Sequence, residues 1–319
     1  MLFRSFKALL LTEGAHGMVS QVEGLAKALE LDFNHCFVNL KNPWKYFPIN
    51  LVPISKSVID GKIPDLIENQ VLISCGKNSI ISSLFLKKNN KNLFNIHIQN
   101  PKVNFSNFAL IVAPEHDQIK GSNVLSTFGA LHYITKDEID NSSNFFSKYN
   151  LSEKDKIVSL ILGGPNRYYD FNEIDLGNIF LSIKDNFLNK GFKLIIIRSR
   201  RTPENIIDFA KKFFLNSAVI IDFVSKEFYL SALKLSKIII VTCDSTSMIS
   251  ECAITQKPIF AAKMKAKRRN SRFEYFLNSF KAKGIIRFLG EDIDYWNYPV
   301  LDETNRIATI IKERFNKIQ

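Results

Sequence analysis

The chain has 319 residues, of which 46% are apolar and 23% charged. Those are ordinary proportions for a soluble globular protein, with length enough for one large or two medium domains. Its apolar runs fall short of the roughly 18 residues a spanning helix needs. Its four cysteines lack Cys-x-x-Cys spacing, which reads as buried free thiols in a reducing compartment. The net charge of +12 invites anionic partners, although a chain so rich in Lys, Asn, Ile and Phe carries much of that charge as composition alone. No helix-turn-helix, zinc or RNP pattern points to nucleic acid.

At the N-terminus the uninterrupted apolar run Ala8-Leu9-Leu10-Leu11 is too short for a signal-peptide core, and Glu13 follows it closely. The expected location is cytoplasmic, with the inner face of the cytoplasmic membrane as a peripheral site. Short β-branched runs then alternate with helical patterns, the signature of βαβ units and parallel sheets. The predicted strands of the first half are residues 6–11, 35–40, 71–74, 94–99 and 109–113, with a helix over 19–29. The polar stretch 139–156 reads as a domain boundary. Strands at 157–162, 193–198, 218–221, 238–242 and 258–261 follow, alternating with helices near 176–189, 203–214, 227–235 and 247–254. Ile307, Ile310, Ile311 and Phe315 stand at helical spacing in a helix that closes against the body. The fold class is α/β: two Rossmann-like domains, 1–145 and 156–300, and a closing helix over 301–319. Their parallel sheets are expected to face one another across a cleft, with ligands at the carboxyl ends of the strands.

The chemistry-bearing residues cluster where strands end. After the first strand, Gly14 and Gly17 allow a tight turn around His16, whose imidazole suits general-base work near neutrality or simply satisfies the turn. Gly76 and Lys77, Gln99, and Glu115, His116 and Asp117 end later strands of the same half and offer polar groups to the acceptor side. His97, His116 and Asp117 mimic a metal cluster, but no ligand spacing supports one. In the second half, Gly163 and Gly164 free the backbone to wrap an anion, with Asn166 and Arg167 beside them. Arg200 and Arg201 follow the next strand. After the strand 238–242, Ser245, Thr246 and Ser247 open a helix whose N-terminus is an anion site, and Glu251 lies within reach of a ribose diol. Three anion-friendly loops on one sheet edge suggest a nucleotide diphosphate. The basic run 263–273 adds charge suited to phosphate or to anionic lipid headgroups, or forms a solvated loop.

Several of these stretches together resemble the "elongated mitochondria" family of mitochondrial fission, whose bacterial members are described as glycosyltransferases. They are Gly14-Ala15-His16-Gly17 with Gln21, His97-Ile98-Gln99-Asn100-Pro101, Pro114-Glu115-His116-Asp117, Gly129-Ala130-Leu131-His132, Gly163-Gly164-Pro165, Ser199-Arg200-Arg201-Thr202-Pro203, and Asp244-Ser245-Thr246-Ser247-Met248 with Glu251. More distantly the chain is similar to GT-B glycosyltransferases of the peptidoglycan N-acetylglucosaminyl type. That likeness implies a nucleobase loop at Phe223 and Val224, His16 as the acceptor's base, and Glu251 on the ribose. It departs from the pattern by lacking adjacent glycines before His16 and in the turn after Gly164.

The resemblance implies a metal-independent hexosyl- or N-acetylhexosaminyl-transferase without a cofactor. Its donor would be UDP- or another nucleotide-diphosphate sugar. Its acceptor would be a cell-envelope glycan, lipid-linked or of lipopolysaccharide type, with peripheral contact to an anionic membrane. The alternative is a non-catalytic adaptor on the same scaffold, since a plant member of the family recruits a division dynamin to mitochondria. A nucleoside-diphosphate-sugar epimerase is disfavoured, because the dinucleotide fingerprint G-x-G-x-x-G and the Tyr-x-x-x-Lys pair it would need are both missing.

Overall fold

The computed structural model describes residues 6–64, 70–268 and 271–318. It separates into two units, Met1–Tyr133 with Asp302–Gln319, and Ile134–Leu301.

The first unit begins β1 (Lys7–Thr12), α1 (His16–Ala28), β2 (Asp32–Phe37), and continues through the short pair β3 (Asn39–Leu40) and β4 (Ile59–Asp60). Then come β5 (Gln70–Cys75), α2 (Ser79–Asn89), β6 (Phe94–Ile98), β7 (Leu110–Pro114) and β8 (Val124–Thr127). Six strands form one parallel sheet in the order β2-β1-β5-β6-β7-β8. Successive strand residues face opposite sides, so Leu10, Ile73 and Val112 join one core with Val22 and Leu25 of α1. Leu9, Leu11, Leu72 and Ile111 join another with Ile80 and Leu84 of α2. A sheet covered on both faces needs the near-continuous apolar runs seen in the sequence.

The second unit holds α3 (Lys136–Asp140), β9 (Ile157–Leu162), α4 (Glu173–Asn186), β10 (Lys193–Arg198), α5 (Glu204–Phe214), β11 (Ala218–Ile221) and α6 (Lys226–Leu235). It continues with β12 (Ile238–Thr242), α7 (Thr246–Ala253), β13 (Ile259–Ala262), α8 (Ser271–Ala282) and β14 (Ile286–Phe288). Its sheet runs β11-β10-β9-β12-β13-β14, again all parallel. The final helix, α9 (Glu303–Ile318), returns to the first unit. There Ile307, Ile311 and Phe315 bury against α1, and the Phe315 ring meets Phe6 and Phe94 edge-on at 5.3 and 5.1 Å. Glu303 accepts the Phe128 N–H at 2.7 Å and fixes where the helix starts.

Three readings of the sequence shift. The change of unit falls after Tyr133, not in the polar stretch 139–156, and residues 134–145 pack into the second unit. The reason is Phe146, fully buried and edge-on to Phe228 at 5.3 Å, with Lys226 paired to Glu138 nearby. The strand predicted at 35–40 is displaced to Asp32–Phe37 because it is an edge strand, paired on one side only and largely exposed. Helix α1 starts at His16 instead of Val19. The histidine is therefore the first residue of a helix, not a loop residue. The sequence reading also passed over β8, β14 and α8.

Candidate functional site

In the second unit, β10 and β11 lie to one side of β9 and β12 to β14 to the other. The chain reverses its winding between β9 and β12, and such a switch point opens a crevice at the carboxyl edge. The segment after β9 carries Gly163 and Gly164, and the one after β12 carries Asp244.

These residues are committed to one another. The Gly163 N–H donates to Thr242 Oγ1 at 2.8 Å, the Thr242 hydroxyl to Asp244 Oδ1 at 2.7 Å, and the Gly164 N–H to Asp244 Oδ2 at 3.1 Å. Arg201 donates from Nη2 to the same Oδ2 at 2.8 Å and from Nη1 to the Gly164 carbonyl at 2.7 Å. A side chain at Gly163 would begin 2.2 Å from the Asp244 carboxylate, and one at Gly164 would begin 2.1 Å from the Arg201 carbonyl. Asn166 spends its amide on the Asp244 carbonyl and its oxygen on the N–H groups of Tyr168 and Tyr169. The double glycine is thus required by internal packing, and its N–H groups, expected from the sequence to wrap an anion, already have acceptors. Burial pushes the Asp244 carboxyl upward, while Arg201 pulls it back down.

The donors left over lie beside this network. Ser245 caps α7 by accepting the Met248 N–H at 3.3 Å, which leaves the first-turn N–H groups of Thr246 and Ser247 without an acceptor in the helix. Arg167 and Arg200 are both exposed. Arg198, which the sequence reading passed over, holds the two neighbouring turns together by donating to the carbonyls of Thr202 and Asp222 at 2.6 and 2.8 Å.

Glu251 lies one and a half turns into α7 and is 7% exposed. Tyr229 of α6 donates its hydroxyl to Glu251 Oε2 at 3.0 Å. Desolvation lifts the Glu251 carboxyl to about 7, and the Tyr229 hydroxyl draws it down only partly. The other oxygen, Oε1, has no hydrogen-bond partner among the described residues. Tyr229 was not read from the sequence; its spacing from Phe228 and Leu230 looks like any other helix residue. Phe223 and Val224, just before α6, are 48% and 51% exposed, with the Phe223 ring edge-on to Phe228.

The first unit gathers its candidates along its own carboxyl edge. Gly14, at φ +85°, turns the chain from β1 into α1, a conformation that favours glycine. His16 sits on the exposed first turn, its Nε2 3.3 Å from the Tyr133 hydroxyl. Gln21 instead bonds back along the helix to the Gly17 carbonyl at 3.0 Å. Beyond Gly76, the Lys77 ammonium is spent on the carbonyls of Lys45 and Phe47 at 3.1 and 2.8 Å. Gln99 stands at φ +86°, costly for a residue with a side chain and characteristic of functional edges. Glu115 is exposed, whereas the half-buried Asp117, its carboxylate almost fully covered, accepts the Asn100 N–H at 3.1 Å and lies 3.9 Å from His116. His97 is sealed in the core with Nδ1 on Ser74 at 2.8 Å, and burial drops it to about 3. It is remote in character from His116 and Asp117. Among the described residues no group of three His, Cys, Asp or Glu side chains is placed to hold a metal.

Two Rossmann-like units with these sheet orders make a GT-B-like architecture. Solved structures agree on that fold. S. aureus MnaA with UDP matches with a TM-score of 0.56 at 16% identity, over 97% of this chain and 89% of that one. UDP-GlcNAc 2-epimerase from Neisseria meningitidis bound to UDP-GlcNAc gives 0.52 at 11% identity, covering 98% and 99%. The chain belongs to the mitochondrial fission ELM1 family, whose model matches residues 16–315. An uncharacterized protein of Rickettsia prowazekii is 25% identical over 94% of each chain. The mitochondrial fission protein ELM1 of Arabidopsis thaliana is 24% identical over 76% of this chain and 63% of its own length.

Proposed function

We propose that this protein is a metal-independent glycosyltransferase whose second unit binds a nucleotide-diphosphate sugar, UDP-linked in the first instance. The observation that carries it is Glu251: a buried carboxyl with one oxygen held by Tyr229 and the other unclaimed, on the helix that opens at the switch point. In this reading Glu251 accepts the ribose hydroxyls and the Thr246 and Ser247 N–H groups meet the diphosphate. Arg200 and Arg167 neutralise its charge, and Phe223 and Val224 lie against the base. Gly163, Gly164, Asn166 and Arg201 shape the edge instead of touching phosphate. The solved structures with UDP or UDP-GlcNAc support the nucleotide class.

The first unit supplies the acceptor side. His16 removes the acceptor's proton as its oxygen attacks the anomeric carbon and the nucleotide diphosphate departs. The acceptor is a cell-envelope glycan or a lipid-linked sugar, and no helix of the described residues is long and apolar enough to cross a membrane. The family's name favours a second reading, an adaptor that binds nucleotide without turning it over. Turnover separates the two. UDP release from UDP-sugars in the presence of a lipid-linked acceptor should fall about 10²–10⁴-fold in His16→Ala, with UDP affinity unchanged. Tight UDP binding with no release from any sugar nucleotide would favour the adaptor.

A further inference from the structure

Among the described residues, every large hydrophobic side chain exposed on the first unit falls in one segment: Phe37 at 56%, Tyr46 at 75%, Phe47 at 41%, Leu51 at 63% and Ile54 at 42%. The segment is firmly seated. Ile49, Val52 and Val58 of the same stretch are buried beneath the sheet with Leu9, Leu72 and Ile80, and Trp44 packs partly against that core. Exposed apolar groups held up by a buried row of their own neighbours mark a surface built to be covered.

Charge says what covers it. Residues 33–59 contain no Asp or Glu, while Lys41, Lys45 and Lys56 are exposed among the apolar groups and Lys45 lies 4.9 Å over the Tyr46 ring. A tryptophan and a tyrosine beside lysines and aliphatics, with acids excluded, is the chemistry of a bilayer interface with anionic headgroups. A second copy of the chain would set lysines against lysines. The basic run at 263–273 is the weaker candidate. There Lys263 lies 3.4 Å over the Phe288 ring and Lys267 is paired with Asp170, so two of its cations are already engaged within the chain.

We infer that the segment from Phe37 to Lys56 is a docking surface for an anionic lipid bilayer. It stands apart from the nucleotide reading and does not depend on it. Two contacts tie it to the candidate acceptor edge. A Cβ on Gly14 would touch the Phe37 ring at 3.5 Å, and Lys77 holds the Lys45 and Phe47 carbonyls. Seating the segment in the interface therefore brings the His16 turn to the membrane surface.

Vesicle co-sedimentation tests this with the full-length protein. It should bind phosphatidylcholine vesicles containing one-third phosphatidylglycerol, and bind pure phosphatidylcholine far more weakly. The double variant Tyr46→Ser/Leu51→Ser, exposed at both positions, should lose at least about tenfold in vesicle affinity with its melting temperature unchanged. Lys41→Glu/Lys45→Glu should lose about 25-fold or more, from roughly fivefold per cation near an anionic surface. Lys265→Glu/Arg268→Glu should sediment almost as the wild type does. No binding to the anionic vesicles overturns the inference, as would a face that docks only protein. So would loss confined to the Lys265/Arg268 variant, or wild-type binding by both variants of the segment.

Discussion

The hydroxyl of Tyr229 donates to Glu251 Oε2 across 3.0 Å, joining α6 to α7 inside the second unit. That bond fixes the direction in which the carboxylate presents its free oxygen.

Replacing Tyr229 with Phe removes the donor and leaves a buried carboxyl oxygen without a partner. Loss of stability of about 1–3 kcal/mol is expected, the cost of an unsatisfied buried polar group. UDP affinity should fall as well, because the carboxylate is no longer aimed. Denaturant unfolding together with UDP titration checks both. Unchanged affinity would mean that Tyr229 only packs.

The pH dependence of Glu251 has a definite sign. Its folded-state value, about 7, lies above the ordinary carboxyl value of 4.5, so the folded state prefers the protonated form. The stability this contributes is complete below 4.5 and is lost as pH rises through about 7. If Glu251 holds the ribose as proposed, the ribose hydroxyls donate to the carboxylate and favour its ionised form, so UDP should bind more tightly as pH rises from 6 to 8, with proton release near 7. Calorimetry in buffers of different ionisation enthalpy measures that release. Its absence in the wild type, or its persistence in Glu251→Gln, would remove Glu251 from the ribose.

Gly164 and Arg201 are expected to matter to the fold more than to the ligand. Gly164→Ala places a methyl group on the Arg201 carbonyl, and overpacking of that kind costs about 1–3 kcal/mol. Arg201→Ala leaves the buried Asp244 without its cation and should cost a similar amount. Arg200→Ala, at an exposed neighbouring position, should melt as the wild type does. Thermal unfolding of the three variants distinguishes them, and equal melting temperatures would dissolve the network described above.

The alternation of apolar runs with helical patterns made both parallel sheets legible, because parallel strands buried on two faces leave long β-branched runs such as Ile238-Ile239-Ile240-Val241. Edge strands leave no such trace. β2 carries polar residues on its open side, and β14 is only three residues long. The unit boundary was hidden because Phe145 and Phe146 sit among Asn and Ser, so a buried anchor looked like a linker. In the candidate site, residue types at strand ends do not show the division of labour within each segment. Adjacent arginines look alike in sequence, yet only Arg201 reaches Asp244. Tyr229 stayed invisible because its partner lies 22 residues away on another helix.

The most direct test is calorimetric titration of UDP into the wild type, Arg200→Ala and Glu251→Ala. The wild type should bind, and a hundredfold excess of UDP over its dissociation constant should add about 2.7 kcal/mol to its stability. Each variant should weaken binding at least tenfold, about 1.4 kcal/mol, while remaining folded. Wild-type affinity in both variants, or no binding of UDP by the wild type, would contradict a UDP site at the switch point between β9 and β12.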